Sequence, residues 1–274
     1  MAVIECRELT KVYNSQDGHR VEALGPISIC ISKGEFVSLV GPSGCGKSTL
    51  LKILAGLISP NKGEFLLNGN PVFGPGRERA IVFQEFALFP WRTVLSNIAF
   101  GLENYHVPRA AREARALALI ESLGLKGFER SYPHELSGGM KQRVGIARAL
   151  IMEPQVLLMD EPFASLDAQM REILQEELER IWMETQKTVV FVTHSIDEAL
   201  FLSDRIIVMS ARPGRITIEL SLNLPRPRGE HDVRNHPTYQ EARKQIWDSL
   251  RLEVLKNQPV SQKISNHSAV RRGL

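Results

Sequence analysis

Residues 41–48 read GPSGCGKS: Gly41, Pro42, Ser43, Gly44, Cys45, Gly46, Lys47 and Ser48, in the order G-x-x-x-x-G-K-S. Glycines at that spacing let successive backbone N–H groups converge at a helix start, where the helix dipole favours an anion. A lysine in that position reaches the outer phosphates of a nucleotide, and the hydroxyl that follows is a ligand for Mg²⁺. Residues 41–48, with Thr49 after them, are therefore candidate nucleotide contacts. A second chemical signal is VLLMDEP at 156–162, an apolar run ending in Asp160 and Glu161. Two adjacent carboxylates can divide the labour: Asp160 serves the metal, and Glu161 accepts a proton from the attacking water or orients it. A third is LSGGMKQR at 136–143, where Ser137, Gly138 and Gly139 open another helix pattern. One nucleotide needs one phosphate cradle, so a second glycine-rich helix start asks what it serves.

The elements around these signals read as α/β. Apolar strand-length runs occur at 35–40, 79–83, 155–160, 188–193 and 205–210, several apolar throughout, as strands covered on both faces are. The cradle lies between the first of them and the helix TLLKILAGL. Residues 168–185 place Met170, Ile173, Leu174, Leu178, Ile181 and Trp182 on one stripe, with Glu172, Glu176, Glu177 and Glu179 off it. Strands alternating with helices predict a parallel sheet core. Between 86 and 150 the rhythm breaks: 109–125 is a helix pattern and no strand is evident, which predicts a helical lobe inserted into the core. The domain reading is a nucleotide-binding core at 1–85 and 151–220, a helical lobe at 86–150, and a C-terminal helix with a basic tail at 221–274. LPRPRG after Leu222 reads as a linker, and 236–255 as the terminal helix with Pro237 in its first turn.

The bulk numbers exclude several classes. No apolar run approaches the roughly 18 residues of a membrane span. Glu5 and Glu8 interrupt the apolar core that a signal peptide needs, which predicts a cytosolic chain. Three cysteines without C-x-x-C spacing suit a reducing compartment and no metal site. A net charge of +3 does not argue for nucleic acid. From Asn257 onward there is no acid, only Lys263, Arg271 and Arg272; this reads as a solvated tail, with weak attraction to anionic lipid as the alternative. Cys45 is either a bland filler or, given the nearby Lys47 and converging N–H groups, a low-pKa thiol that alkylates before Cys6 or Cys30.

Cradle, Asp-Glu strand and LSGG in this order resemble the ATP-binding-cassette (ABC) ATPases over about residues 2–220. The resemblance implies a P-loop NTPase fold with a RecA-like mixed sheet and an inserted helical subdomain. It implies that Tyr13 stacks on adenine, Gln84 senses Mg²⁺ and water, and Ser165, Leu166 and Asp167 form the loop after the catalytic glutamate. It implies that His194 contacts the γ-phosphate. Ligands for Mg²⁺ would be Ser48, Gln84 and Asp160; catalytic groups would be Glu161, His194, Gln84 and Lys47. Two cassettes would pair head to tail as a homodimer, with Ser137, Gly138 and Gly139 of one completing the ATP site of the other. Met140 stands where the family most often has Gln. FALFPWRTVLSNIAFGL (86–102), VMSARPGRI (208–216) and the late helix resemble the nitrate/sulfonate/taurine importer group. That group implies integral membrane permease partners, an indirect periplasmic solute-binding protein, and a peripheral place on the cytoplasmic face of the membrane. Trp91 would line the permease groove or lie buried in the helical lobe. A soluble cassette acting on nucleic acid or the ribosome is the alternative.

Overall fold

The computed structural model describes residues 2–14 and 19–256, so the basic tail lies outside the described residues. Two sheets carry the architecture. The larger has six strands: β3 (Phe36–Val40), β6 (Arg79–Val82), β7 (Val156–Asp160), β8 (Thr188–Thr193), β9 (Arg205–Met209) and β10 (Ile216–Ser221), in the order β10-β9-β3-β8-β7-β6. The pairs β6–β7, β7–β8, β8–β3 and β3–β9 are parallel, and β10 closes one edge antiparallel to β9. The smaller sheet is antiparallel, ordered β2-β1-β4-β5, with β1 (Ala2–Asn14), β2 (Arg20–Ser32), β4 (Lys62–Leu67) and β5 (Asn70–Pro71).

The period of two along each strand divides the core. Val37 and Leu39 of β3, Val190 and Val192 of β8, and Val156 and Leu158 of β7 face one apolar cluster. There they meet Leu50, Leu51, Ile53 and Leu54 of helix α1 (Lys47–Leu54) and the inward residues of the smaller sheet. Phe36, Val40, Leu157, Met159, Val189 and Phe191 point the other way, into a second cluster. That cluster is shared with α2 (Val94–Ala99), α3 (Arg109–Ser122), α4 (Gly138–Leu150), α5 (Ala168–Thr185), α6 (Ile196–Leu202) and α7 (Pro237–Lys256). Helix α1 is thus held between two sheets, which fixes the loop that precedes it.

The predicted parallel strands and the helices at 109–125, 168–185 and 236–255 are present. The antiparallel sheet was not predicted, although one of its strands announces itself. In β2, Ile27, Ile29 and Ile31 are buried while Pro26, Ser28, Cys30 and Ser32 are exposed, a clean alternation. Strand β1 hides the pattern because Glu8 takes a positive φ of 50° and the pairing register shifts between Cys6 and Leu9.

Two expectations are corrected around α5. Ile173 is 48% exposed, whereas Glu179, expected off the stripe, is buried. The linker reading of LPRPRG also fails, and for the same reason: this segment packs onto α5. Arg226 lies 4.2 Å over the Trp182 ring and pairs with Glu179 at 2.8 Å. Arg228, almost wholly buried, donates to the carbonyls of Leu200 and Ser203 at 2.8 Å each, while its N–H donates to Glu179. Burial pushes the Arg228 guanidinium pKa down to about 10. Leu222 and Leu224 are buried in the same apolar cluster as Tyr239, Ala242 and Ile246 of α7.

Candidate nucleotide site

The five parallel strands of the large sheet all end at one edge, and in open α/β sheets that edge is where ligands bind. After β3 the chain enters the cradle. Gly44 and Gly46 take φ values of 75° and 106°, a region that disfavours side chains. A Cβ at position 46 would also stand 2.7 Å from the Ala23 carbonyl oxygen and 2.6 Å from Leu24 Cδ2. Glycine is required there on both counts. Helix α1 begins at Lys47, whose Nζ donates to the carbonyls of Gly41 (2.7 Å) and Pro42 (3.1 Å), folded back over its own loop. A cavity of about 270 Å³ opens over this turn, lined by Tyr13, Val21, Ala23, residues 43–49, Glu161 and Arg212. Tyr13 is 41% exposed on the cavity rim, with Lys11 Nζ 5.5 Å from its ring centroid.

The carboxylates arrive from β7. Asp160 ends the strand, and its Oδ1 accepts from Ser48 Oγ at 3.0 Å. Burial raises the Asp160 pKa, the Ser48 hydrogen bond opposes this, and the neighbouring Glu161 charge adds to it. A half-buried carboxylate touching a hydroxyl is a hard-oxygen pair of the kind Mg²⁺ takes. Among the described residues no cluster of three or more His, Cys, Asp or Glu could hold a metal. Mg²⁺ usually takes one or two carboxylates and completes its shell with water and phosphate oxygens, which suits the Ser48–Asp160 pair.

Glu161 is turned out of the strand direction. Its φ is 45°, left-handed for a non-glycine residue, a conformation costing roughly 1–3 kcal/mol and found disproportionately at functional sites. Its N–H donates to the Val192 carbonyl at 2.9 Å, locking that turn to β8. Its Oε2 lies 3.1 Å from Nδ1 of His194, the residue after β8. Ser195 then caps α6, accepting from the Glu198 N–H, so the histidine sits on a fixed corner. Gln84 lies two residues past the end of β6, exposed, and outside the lining of the cavity.

LSGG stands apart from this cavity. Ser137 is the N-cap of α4, its Oγ accepting from the Met140 N–H at 3.3 Å. Ser137 and Gly138 are exposed. Gly139 is buried because Met170 packs on it: a Cβ there would meet Met170 Sδ at 2.6 Å. Met140, the departure from the common Gln, turns its side chain against the core. Asp167 caps α5 by accepting from the Met170 N–H at 2.9 Å, and Leu166 is buried beside Gly138.

One expectation about the cradle is overturned. Cys45 is 1% exposed, and burial pushes its thiol pKa up; Lys47 lowers it by less. The cationic neighbour was visible in the sequence, but the packing of the thiol under the loop was not. Cys30 is the exposed cysteine. The buried reading of Trp91 also falls: the ring is 72% exposed, on a turn fixed by buried Asn97, which exchanges hydrogen bonds with both the N–H and the carbonyl of Phe89.

A phosphate cradle on α1, a carboxylate pair ending β7 and a histidine ending β8 define a P-loop ATPase. The chain belongs to the ABC transporter family, whose profile matches residues 24–164. It is 50% identical over 254 residues to the uncharacterized ABC transporter ATP-binding protein MJ0412 of Methanocaldococcus jannaschii, covering 93% of each chain. It is 46% identical to the aliphatic sulfonates import ATP-binding protein SsuB of Bacillus cereus, over 89% of this chain and 94% of the relative. It is 42% identical to the taurine import ATP-binding protein TauB of Roseobacter denitrificans, over 90% and 95% respectively. Among solved structures, it resembles the ATP-binding cassette MJ0796, described as a dimeric post-hydrolysis state bound to ADP and Pi. The TM-score is 0.72 and identity 34%, over 81% of this chain and all of that one.

Proposed function

We propose that this protein is the ATP-hydrolysing subunit of an importer, driving uptake of a small solute through separate membrane subunits. The observation that carries the reading is the separation of the two glycine-rich turns. Lys47 and Ser48 line the cavity, whereas Ser137 and Gly138 are exposed on α4 and take no part in it. A helix N-terminus presenting a capping hydroxyl and unpaired N–H groups to solvent suits a phosphate on another molecule. Two copies in head-to-tail contact would give each nucleotide one cradle and one LSGG turn, and the helical lobe at 86–150 would carry that turn to its partner.

Within each site the chain's own residues take distinct parts. Lys47 exchanges its carbonyl partners for phosphate oxygens, Ser48 and Asp160 hold Mg²⁺, and Tyr13 stacks on the base. Bound Mg²⁺ neutralises charge on the phosphates. Glu161 takes or orients the proton of the attacking water. With Nδ1 directed at Glu161, His194 keeps its Nε2 for the terminal phosphate, and Gln84 closes in from β6 when the second copy docks.

The solute class rests on the relatives named for aliphatic sulfonate and taurine import; we assign nitrate, sulfonates and taurine-like solutes as the candidates. The relatives named as import ATP-binding proteins support placing the translocation path in a separate permease, with this subunit peripheral on its cytoplasmic face and a periplasmic binding protein delivering solute; among the described residues no helix is long and apolar enough to cross a membrane. Trp91 is the anchor offered to that permease, as exposed tryptophans are at interfaces. Trp91→Ala should leave melting temperature and ATP affinity unchanged while abolishing co-purification with a multispan membrane protein from the native host. Retention of that protein by the variant would contradict this docking site.

A further inference from the structure

The cradle, Gln84 and His194 follow β3, β6 and β8, Asp160 ends β7, and the fifth parallel strand, β9, has no part in the assignments above. The loop after it, residues 210–215, delivers Arg212 to the same cavity. We propose that Arg212 is a further nucleotide-binding residue, a second cation for the polyphosphate beside Lys47, resting on the reading of this cavity as the ATP site.

Three observations support it. First, the loop is built against the cradle. The Gly214 N–H donates to the Ala23 carbonyl and the Gly25 N–H to the Gly214 carbonyl, both at 3.0 Å. A Cβ on Gly214 would stand 2.0 Å from the Cys45 carbonyl oxygen, so only glycine lets the two loops lie this close. Second, the loop is held by hydrogen bonds on both sides of Arg212. Ser210 Oγ accepts from the Arg215 N–H at 3.0 Å, and the Ser210 N–H donates to the Arg215 carbonyl at 2.8 Å. The Ala211 N–H donates to Glu253 of α7 at 3.1 Å, which ties the residue before Arg212 to the terminal helix. Third, Arg212 has no carboxylate within ion-pair distance among the described residues, although Arg226, Arg234 and Arg243, further along the chain, each have one. Its Nε donates to the Gly44 carbonyl at 3.3 Å, which leaves the rest of the guanidinium fork at the cavity wall. An exposed guanidinium anchored through Nε beside converging N–H groups, with no carboxylate in reach among the described residues, fits the phosphates of a nucleoside di- or triphosphate. Glu253 acts at one remove, as a positioning residue.

The test is fluorescence titration of the full-length chain with ATP, ADP and AMP, alongside ATPase kinetics and thermal melting. Arg212→Ala should weaken ATP and ADP binding about tenfold at low salt. AMP affinity and the melting temperature should be unchanged, KM should rise more than kcat falls, and the defect should shrink as salt screens it. Arg212→Lys should recover part of the loss. Glu253→Ala should weaken ATP binding in the same direction and Glu253→Gln should not, because the amide oxygen still accepts from Ala211. Lys47→Ala is the control for the cavity itself. If Lys47→Ala weakens ATP binding but Arg212→Ala does not, or if Arg212→Ala affects AMP equally or lowers the melting temperature in step, the proposal is overturned. If Lys47→Ala binds ATP normally, the cavity reading falls first.

Discussion

Replacing Glu161 by glutamine separates chemistry from every other role of this side chain. The amide has the same shape, tolerates the same positive φ and can still meet His194 Nδ1 across 3.1 Å. It cannot accept a proton. Removal of a general base typically costs two to four decades in rate, or about 2.7–5.5 kcal/mol of transition-state stabilisation. Stability should respond in the opposite sense. The Glu161 charge is one of the causes that hold the Asp160 carboxyl above its ordinary range, so neutralising it relieves repulsion between adjacent carboxylates. We therefore expect turnover to fall by about 10²–10⁴ while the melting temperature of the nucleotide-free protein holds or rises. ATP affinity should persist, and size-exclusion chromatography with ATP should show a dimer that the wild type only passes through. Near-normal turnover, or a rate loss accompanied by a matching loss of stability, would refute the assignment of Glu161 as the base.

Asp160→Asn should abolish Mg²⁺-dependent hydrolysis yet stabilise the nucleotide-free fold at neutral pH. The folded pKa of Asp160 is raised, so its stabilising effect is complete below the unfolded carboxylate pKa and is lost as pH rises through the folded value. The melting-temperature difference between variant and wild type should grow across that window; a difference that is flat with pH would contradict a raised Asp160 pKa. Brief alkylation with peptide mapping should modify Cys30 first, with Cys45 slow until pH exceeds the ordinary thiol range. Fastest labelling at Cys45 would show that the loop opens in solution.

Much of this was legible in the residues because glycine spacing and strand-ending carboxylates are local signals. Positions 41–48 require glycines for positive φ and close approach, and the chain has them in register with a strand before and a helix after. The buried parallel strands read as apolar runs for the same local reason. What the sequence concealed depends on contacts between distant segments. Glu179 looks like a surface residue of α5 until Arg226 and Arg228 arrive to pair with it. Cys45 looks activated by Lys47 until packing removes it from solvent. Arg212 sits in a stretch singled out only for its resemblance to importer subunits, and nothing local says that Gly214 lets it lie on the cradle. Strand β1 is masked in the sequence by its own bulge, while β2 carries an open in–out alternation from Pro26 to Ser32.

In the proposed dimer each ATP is held by the cradle of one copy and the LSGG turn of another. A Ser137→Arg chain and a Lys47→Ala chain should each be inactive alone, the first for want of a usable LSGG turn and the second for want of a cradle lysine. Mixed, they should form heterodimers with one complete site, built from the Lys47 of the first chain and the Ser137 of the second. ATPase activity measured against the fraction of mixed dimer should rise from near zero in proportion to that fraction. Absence of any recovery when mixed dimers are demonstrably present would contradict shared sites.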